Sequence, residues 1–132
     1  MLTECGEVVL VDMGLCVDVQ EFNPAVSIGG TCSFMSPETI LGRNVTRAAD
    51  IWSLGITMLE MANGAVPFID NPTLSMFKVV TKTMGPVDSL LSDASKWSDS
   101  FKDFLKVCLD PNPETRPTAE QLLSVRSCFP SF

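Results

Sequence analysis

Asp12 stands where a β-branched run, Val8-Val9-Leu10-Val11, gives way to Met13 and Gly14. There a carboxylate meets a glycine that allows a sharp turn. Asp50 is the second carboxylate of interest, near the start of the longest helical pattern, residues 46–64. Ile51, Leu54, Met58 and Ala62 share one face there, and Trp52, Ile56, Leu59 and Met61 cover the others. A helix apolar nearly all round is a core axis. Asp50 is therefore expected inside protein, accepting hydrogen bonds from backbone or side-chain donors, and it also suits a first helical turn. Thiols offer less. The five cysteines (Cys5, Cys16, Cys32, Cys108 and Cys128) form no CxxC pair, and the chain has no histidine, which argues against a zinc site.

The elements that must position these groups follow from local pattern. Val8–Val11 is expected to be a strand after Gly6. Leu15 to Met35 has no helical period, which marks a long loop of the kind that is either functional or disordered. Ser36-Pro37-Glu38 opens a short helix through about Leu41, closed by Gly42. Thr46 is the expected N-cap of the central helix, Gly64 its left-handed terminator, and Pro67 a block to restart. Leu74, Phe77, Val80 and Met84 suggest an amphipathic helix ending at Gly85, followed by loop, with room for a short turn, to Trp97. Ser98 caps a helix whose apolar face is Phe101, Phe104, Leu105, Cys108 and Leu109, and Asp110-Pro111-Asn112-Pro113 stops it. Thr118 and Gln121 have capping-box spacing for a last helix through about Val125.

Bulk properties set the class. At 132 residues, with 45% hydrophobic and 19% charged residues, the chain has room for one domain with a real core. A net charge of −7 argues against nucleic acid and anionic membrane surfaces as partners. Asp50 and Glu60 leave the central helix short of the ~20 apolar residues a membrane span needs. No signal peptide is visible at MLTECGEVV, and dispersed thiols suit a reducing compartment, so a soluble, cytoplasmic protein is expected.

Four motifs then fall in one order: Asp12-Met13-Gly14, Gly30-Thr31-Cys32-Ser33-Phe34-Met35-Ser36-Pro37-Glu38, Asp50-Ile51-Trp52-Ser53-Leu54-Gly55, and Arg116-Pro117. In this order the chain resembles the C-terminal lobe of a eukaryotic Ser/Thr protein kinase of the PAK-like (sterile-twenty) group. The resemblance runs from the strand before Asp12 to about Leu123. It implies a mainly α fold: one short strand, an activation segment at about 12–38, then a helical subdomain at about 39–126 around a buried central helix. The N-terminal lobe is absent, so residues 1–132 are expected to be a partial kinase domain.

Roles follow by position. The resemblance makes Asp12 the ligand of Mg²⁺ against the phosphates of ATP. Gly30, Thr31 and Pro37 seat the protein substrate, with the Thr31 hydroxyl near the catalytic aspartate. Glu38 pairs with Arg116, a structural bond for which bidentate geometry would suit. Asp50 holds the backbone of the catalytic loop. Ser27, four residues before Thr31, matches the activating phosphosite. Phosphate there could order the loop against an arginine, which must come from elsewhere, since no Lys or Arg lies between Asp12 and Gly42.

Departures from the family pattern carry equal weight. Met13 replaces the usual phenylalanine, a more adaptable side chain where active and inactive geometry is set. The chain holds no Gly-rich phosphate loop, no Val-Ala-Ile-Lys strand and no His-Arg-Asp catalytic loop. Phosphoryl transfer depends on positioning, so the chain by itself is expected to be inactive. The alternative is a non-catalytic interaction module that offers its later helices to partners. Bared core surface in the isolated chain would favour association and give a poorly cooperative melt.

Overall fold

The computed structural model describes residues 1, 3–18, 30–43, 45–66, 71–82 and 84–124, and within these the side chains of Pro72 and Ser75 are not described. Among the described residues the chain is helical, with six α-helices: α1 (Pro37–Ile40), α2 (Ala48–Asn63), α3 (Pro72–Val80), α4 (Val87–Leu90), α5 (Asp99–Cys108) and α6 (Ala119–Ser124). Short 3-10 turns form at Met13–Leu15, Cys32–Phe34 and Ala94–Lys96.

Local chemistry sets most helix ends. The Ser36 hydroxyl accepts from the Thr39 N–H at the start of α1, with Pro37 in the first turn. Ser98 does the same for Phe101 in α5 at 3.2 Å. Thr118 and Gln121 close a reciprocal box: Thr118 N–H donates to Gln121 Oε1 at 2.8 Å, and Gln121 N–H to Thr118 Oγ1 at 3.2 Å. Gly64 ends α2 at φ 75°, returning its N–H to the Glu60 carbonyl. The start of α2 differs by a residue or two from expectation. Arg47 occupies the cap position, while the Thr46 hydroxyl accepts from the Ala48 N–H at 3.3 Å.

The core lies along α2. Trp52, Ile56 and Leu59 pack with Val66, Val79, Leu91, Leu105 and Leu109, and a second cluster joins Ile51 to Phe104, Cys108 and Leu122. Helix α5 lies closely against α2, and Gly55 explains how: a Cβ there would sit 2.9 Å from both Cys108 Cβ and Leu109 Cδ2. Asn63 fastens the end of α2 to the segment after α4. Its Nδ2 donates to the Leu90 carbonyl at 2.7 Å, and its Oδ1 accepts from Ser92 N–H at 2.8 Å.

Four expectations need correction. Val8–Val11 is not a strand: Val8 makes an isolated bridge, and Val9 exchanges hydrogen bonds with Met1 at 2.8 and 2.9 Å. A strand exists only through a partner ladder, and these residues stay exposed, Leu10 at 81%. The central helix is not enclosed all round, since Leu54 and Met61 are exposed at 40% and 69%. The amphipathic helix starts earlier, capped by Asn71, and ends at Val80, leaving Met84 beyond it. The stretch before Trp97 is more than a loop with a short turn: beside the Ala94–Lys96 turn it contains the helix α4. Pro67 and Val125 lie outside the described residues.

Candidate functional site

Arg116 and Glu38 form the best-defined polar constellation among the described residues, although 78 positions separate them. Arg116 Nη1 donates to Glu38 Oε1 at 2.7 Å and Nη2 to Oε2 at 3.1 Å, a fork-to-fork pair with both side chains buried. Two of the three remaining N–H groups are used as well. Nε gives a bond to the Asp110 carbonyl at 3.0 Å, and Nη1 a second one to the Ala48 carbonyl at 2.6 Å. The guanidinium carbon lies 5.2 Å from the centroid of the Trp52 ring, within cation–π reach. One arginine thus ties together α1, the start of α2, the core indole and the Asp110–Thr115 turn. Burial without loss of hydrogen bonding is what makes such a charge tolerable.

Asp110 prepares that turn. Its carboxylate accepts from Asn112 N–H at 2.9 Å and from the Thr115 hydroxyl at 2.6 Å, which leaves its carbonyl for Arg116. On the other side, Ser53 Oγ donates to the Phe34 carbonyl at 2.9 Å and pins the Cys32–Phe34 turn to α2. Sequence pattern by itself assigns neither Ser53 nor Asp110 a functional role. Ser53 stood inside a quoted motif, and a hydroxyl on an otherwise apolar helix was the available signal. Asp110 carried only the mark of a helix stop.

The loop residues that precede Glu38 are placed by this frame. Pro37 is buried at the first turn of α1. Thr31 is exposed and extended (φ −82°, ψ 117°), directly before the Cys32–Phe34 turn. Gly30 is at φ +107°, a conformation other residues rarely adopt. Ser27 lies outside the described residues.

Asp12 is held in the left-handed region at φ 63°, ψ 63°, heading the Met13–Leu15 turn without a side-chain cap bond. Aspartate tolerates this conformation better than most residues, but it is still a cost, and such costs concentrate where a side chain must be aimed. Met13 is 55% exposed, with the Cys16 thiol 3.6 Å from its sulfur.

Asp50 departs from expectation. It is exposed in the first turn of α2 rather than enclosed. It borders one cleft with Asp12, Val45 and Thr46, and a larger one of about 880 Å³ with Pro113, Glu114 and Thr118. Its surroundings are open because the apolar faces of α2 turn toward α5 and the Cys32–Phe34 turn. The carboxylate faces space, where it complements the helix dipole.

A bound divalent cation needs about six oxygens. Asp12 offers a single carboxylate, and no group of three or more His, Cys, Asp or Glu capable of holding a metal occurs among the described residues. The residues present do not form a magnesium–nucleotide site by themselves. No helix among the described residues is long and apolar enough to cross a membrane.

Comparison with known proteins agrees with this frame. The family model described as "Protein kinase domain" matches residues 1–126. Serine/threonine-protein kinase pakB of Dictyostelium discoideum is 43% identical over 125 residues, 94% of this chain and 14% of that protein. Serine/threonine-protein kinase pakC of the same organism is 40% identical over 120 residues, 89% of this chain and 24% of that protein. Serine/threonine-protein kinase 10 of Xenopus tropicalis is 40% identical over 129 residues, 93% of this chain and 13% of that protein. The chain thus spans less than a quarter of the length of these relatives. With a family match across nearly its whole length, the chain is part of a serine/threonine protein kinase domain and belongs to the protein kinase family.

Proposed function

We propose that these residues supply the activation segment and substrate-side helices of a kinase that moves the γ-phosphate of ATP to Ser or Thr hydroxyls of proteins. The observation that carries this is the buried Glu38–Arg116 fork, which fixes the segment Gly30–Pro37 against the helical body. In this reading Thr31, exposed beside the pinned Cys32–Phe34 turn, lies along the bound peptide, and Pro37 and Gly30 set the path of the segment. Asp12 presents its carboxylate to the magnesium that accompanies ATP. Asp50, facing open space at the head of α2, receives the catalytic-loop backbone. Ser27 is the candidate regulatory phosphosite. Without a catalytic aspartate to take the hydroxyl proton, or a lysine and glycine loop to hold the triphosphate, the 132 residues alone do not transfer phosphate.

The test uses the product of the full-length transcript with radiolabelled ATP and a Ser/Thr peptide. Transfer is expected from that product and not from the 132-residue chain. Asp12→Asn, which keeps a residue tolerant of the left-handed backbone, should abolish it. Undiminished transfer by the Asn variant removes Asp12 from the chemistry. A transcript that starts at Met1 behind an upstream stop overturns the catalytic reading in favour of an interaction module.

A further inference from the structure

Trp52 is 1% exposed, yet its indole Nε1–H is the one buried side-chain nitrogen or oxygen among the described residues with no hydrogen-bond partner. Leaving such a donor unpaired is costly, and native structures seldom do so without a reason. The same tryptophan lines a cavity of about 320 Å³ between α2, the Lys82–Leu90 segment and the end of α5. That volume falls in the range of small-molecule sites. Its walls are largely apolar, with Val79, Leu90 and Leu109 among them, and two ammonium side chains, Lys82 and Lys106, border it. The remaining charge, Asp110, has its carboxylate committed to Asn112 and Thr115. In a chain of net charge −7, a cavity bordered by two lysines and one aspartate is locally net positive and favours an anion.

Lys82 adds a second oddity. It sits just past α3 at φ +57°, where glycine would carry no strain. A lysine there keeps an ammonium at the cavity at the expense of backbone comfort.

The geometry points to a binding site for a small apolar carboxylate, its body against Val79, Leu90 and Leu109, its anionic group between Lys82 and Lys106, and an oxygen accepting the Trp52 indole N–H. The site borders the Arg116 frame through Trp52 and Asp110 but uses none of Asp12, Gly30, Thr31, Glu38 or Asp50, so ligand binding is read independently of phosphate transfer.

The experiment is a two-dimensional ¹H–¹⁵N NMR titration of the full 132-residue chain with 4-phenylbutyrate, and in parallel with the neutral 4-phenylbutanol. Trp97→Phe assigns the two indole signals, since Trp97 stacks on Phe101 outside the cavity lining. The Trp52 indole signal should shift saturably with the acid, while the Trp97 signal stays in place. The alcohol should bind about tenfold more weakly, as should Lys106→Gln, because each removes a charge-assisted bond. Lys82→Gly should weaken the acid similarly while leaving the thermal midpoint equal or higher, a split that a purely structural lysine would not give. An unmoved Trp52 signal at millimolar acid means the cavity holds water only and overturns the proposal. Equal affinity for acid and alcohol, or unchanged affinity in both lysine variants, overturns it too.

Discussion

Removing the Glu38 carboxylate should unfold much of what Arg116 holds together. In Glu38→Ala, the guanidinium loses both bonds of the fork, at 2.7 and 3.1 Å, and keeps the Ala48 and Asp110 carbonyls and the Trp52 ring. The charge stays buried without its counter-charge, and breaking a buried pair in this way costs about 3–5 kcal/mol. Against a total stability of about 5–15 kcal/mol for a domain, that is a large share. Arg116→Ala should cost at least as much, because Glu38 has no other side-chain donor among the described residues and the two carbonyls lose theirs as well. The double variant Glu38→Leu with Arg116→Met removes both charges and fills the space. It should be at least about 2 kcal/mol more stable than the sum of Glu38→Leu and Arg116→Met made singly. Urea unfolding followed by tryptophan fluorescence reads every variant. With a slope of about 2 kcal/mol per molar, Glu38→Ala should lower the midpoint by roughly 2 M. A shift under about 0.5 M, or simple additivity in the double variant, would show that the fork contributes little and refute the reasoning.

Gly55→Ala should lose about 2 kcal/mol in thermal denaturation, because the new methyl would lie 2.9 Å from Cys108 Cβ and α5 must shift to admit it. Loss of the reciprocal cap in Thr118→Ala should cost about 1 kcal/mol, with amide exchange rising first in α6. Asp93 carries a clear pH signature: the Ser95 hydroxyl at 2.6 Å, and then Lys96, hold its carboxyl below the usual value. A folded value below the unfolded one gives stability that is present above the unfolded value and lost as pH falls through the folded one. Asp93→Asn should therefore flatten the acid limb of the midpoint–pH curve from about pH 5 downward, and an unchanged limb would assign it to other carboxylates.

What could be read in advance was the chemistry of neighbours. Ser36, Ser98, Thr118 with Gln121, and Gly64 each cap a helix through partners within four residues, so the amino-acid order alone specifies the bond. The failures all depended on distant partners. Val8–Val11 has strand composition, but composition does not supply a ladder, and the run stays exposed. The periodicity of α2 marked Trp52, Ile56 and Leu59 as core without telling that Leu54 and Met61 would face outward. The apolar helix around Asp50 suggests enclosure, whereas its exposure depends on what packs against the first turn. Asn63 drew no notice, because its two bonds reach 27 and 29 positions away. The Glu38–Arg116 fork has no local signature either; only the resemblance to a family pointed to it.

The fork and the cavity meet at Trp52, which makes that indole the physical link between the two halves of the molecule. One arginine lies over its ring, and the same ring borders the space beside Lys82 and Lys106. Its immediate neighbours in α2 make contacts of their own: Ile51 joins Phe104 and Leu122, and Ser53 holds the Phe34 carbonyl. A change that displaces the indole must therefore disturb either Arg116, and through it Glu38 and the activation-segment residues, or the packing of α5. Interiors packed at this density shift between discrete arrangements rather than deform smoothly. Filling the cavity should for that reason stiffen the Arg116 side as well, by restricting the ring on which the guanidinium rests.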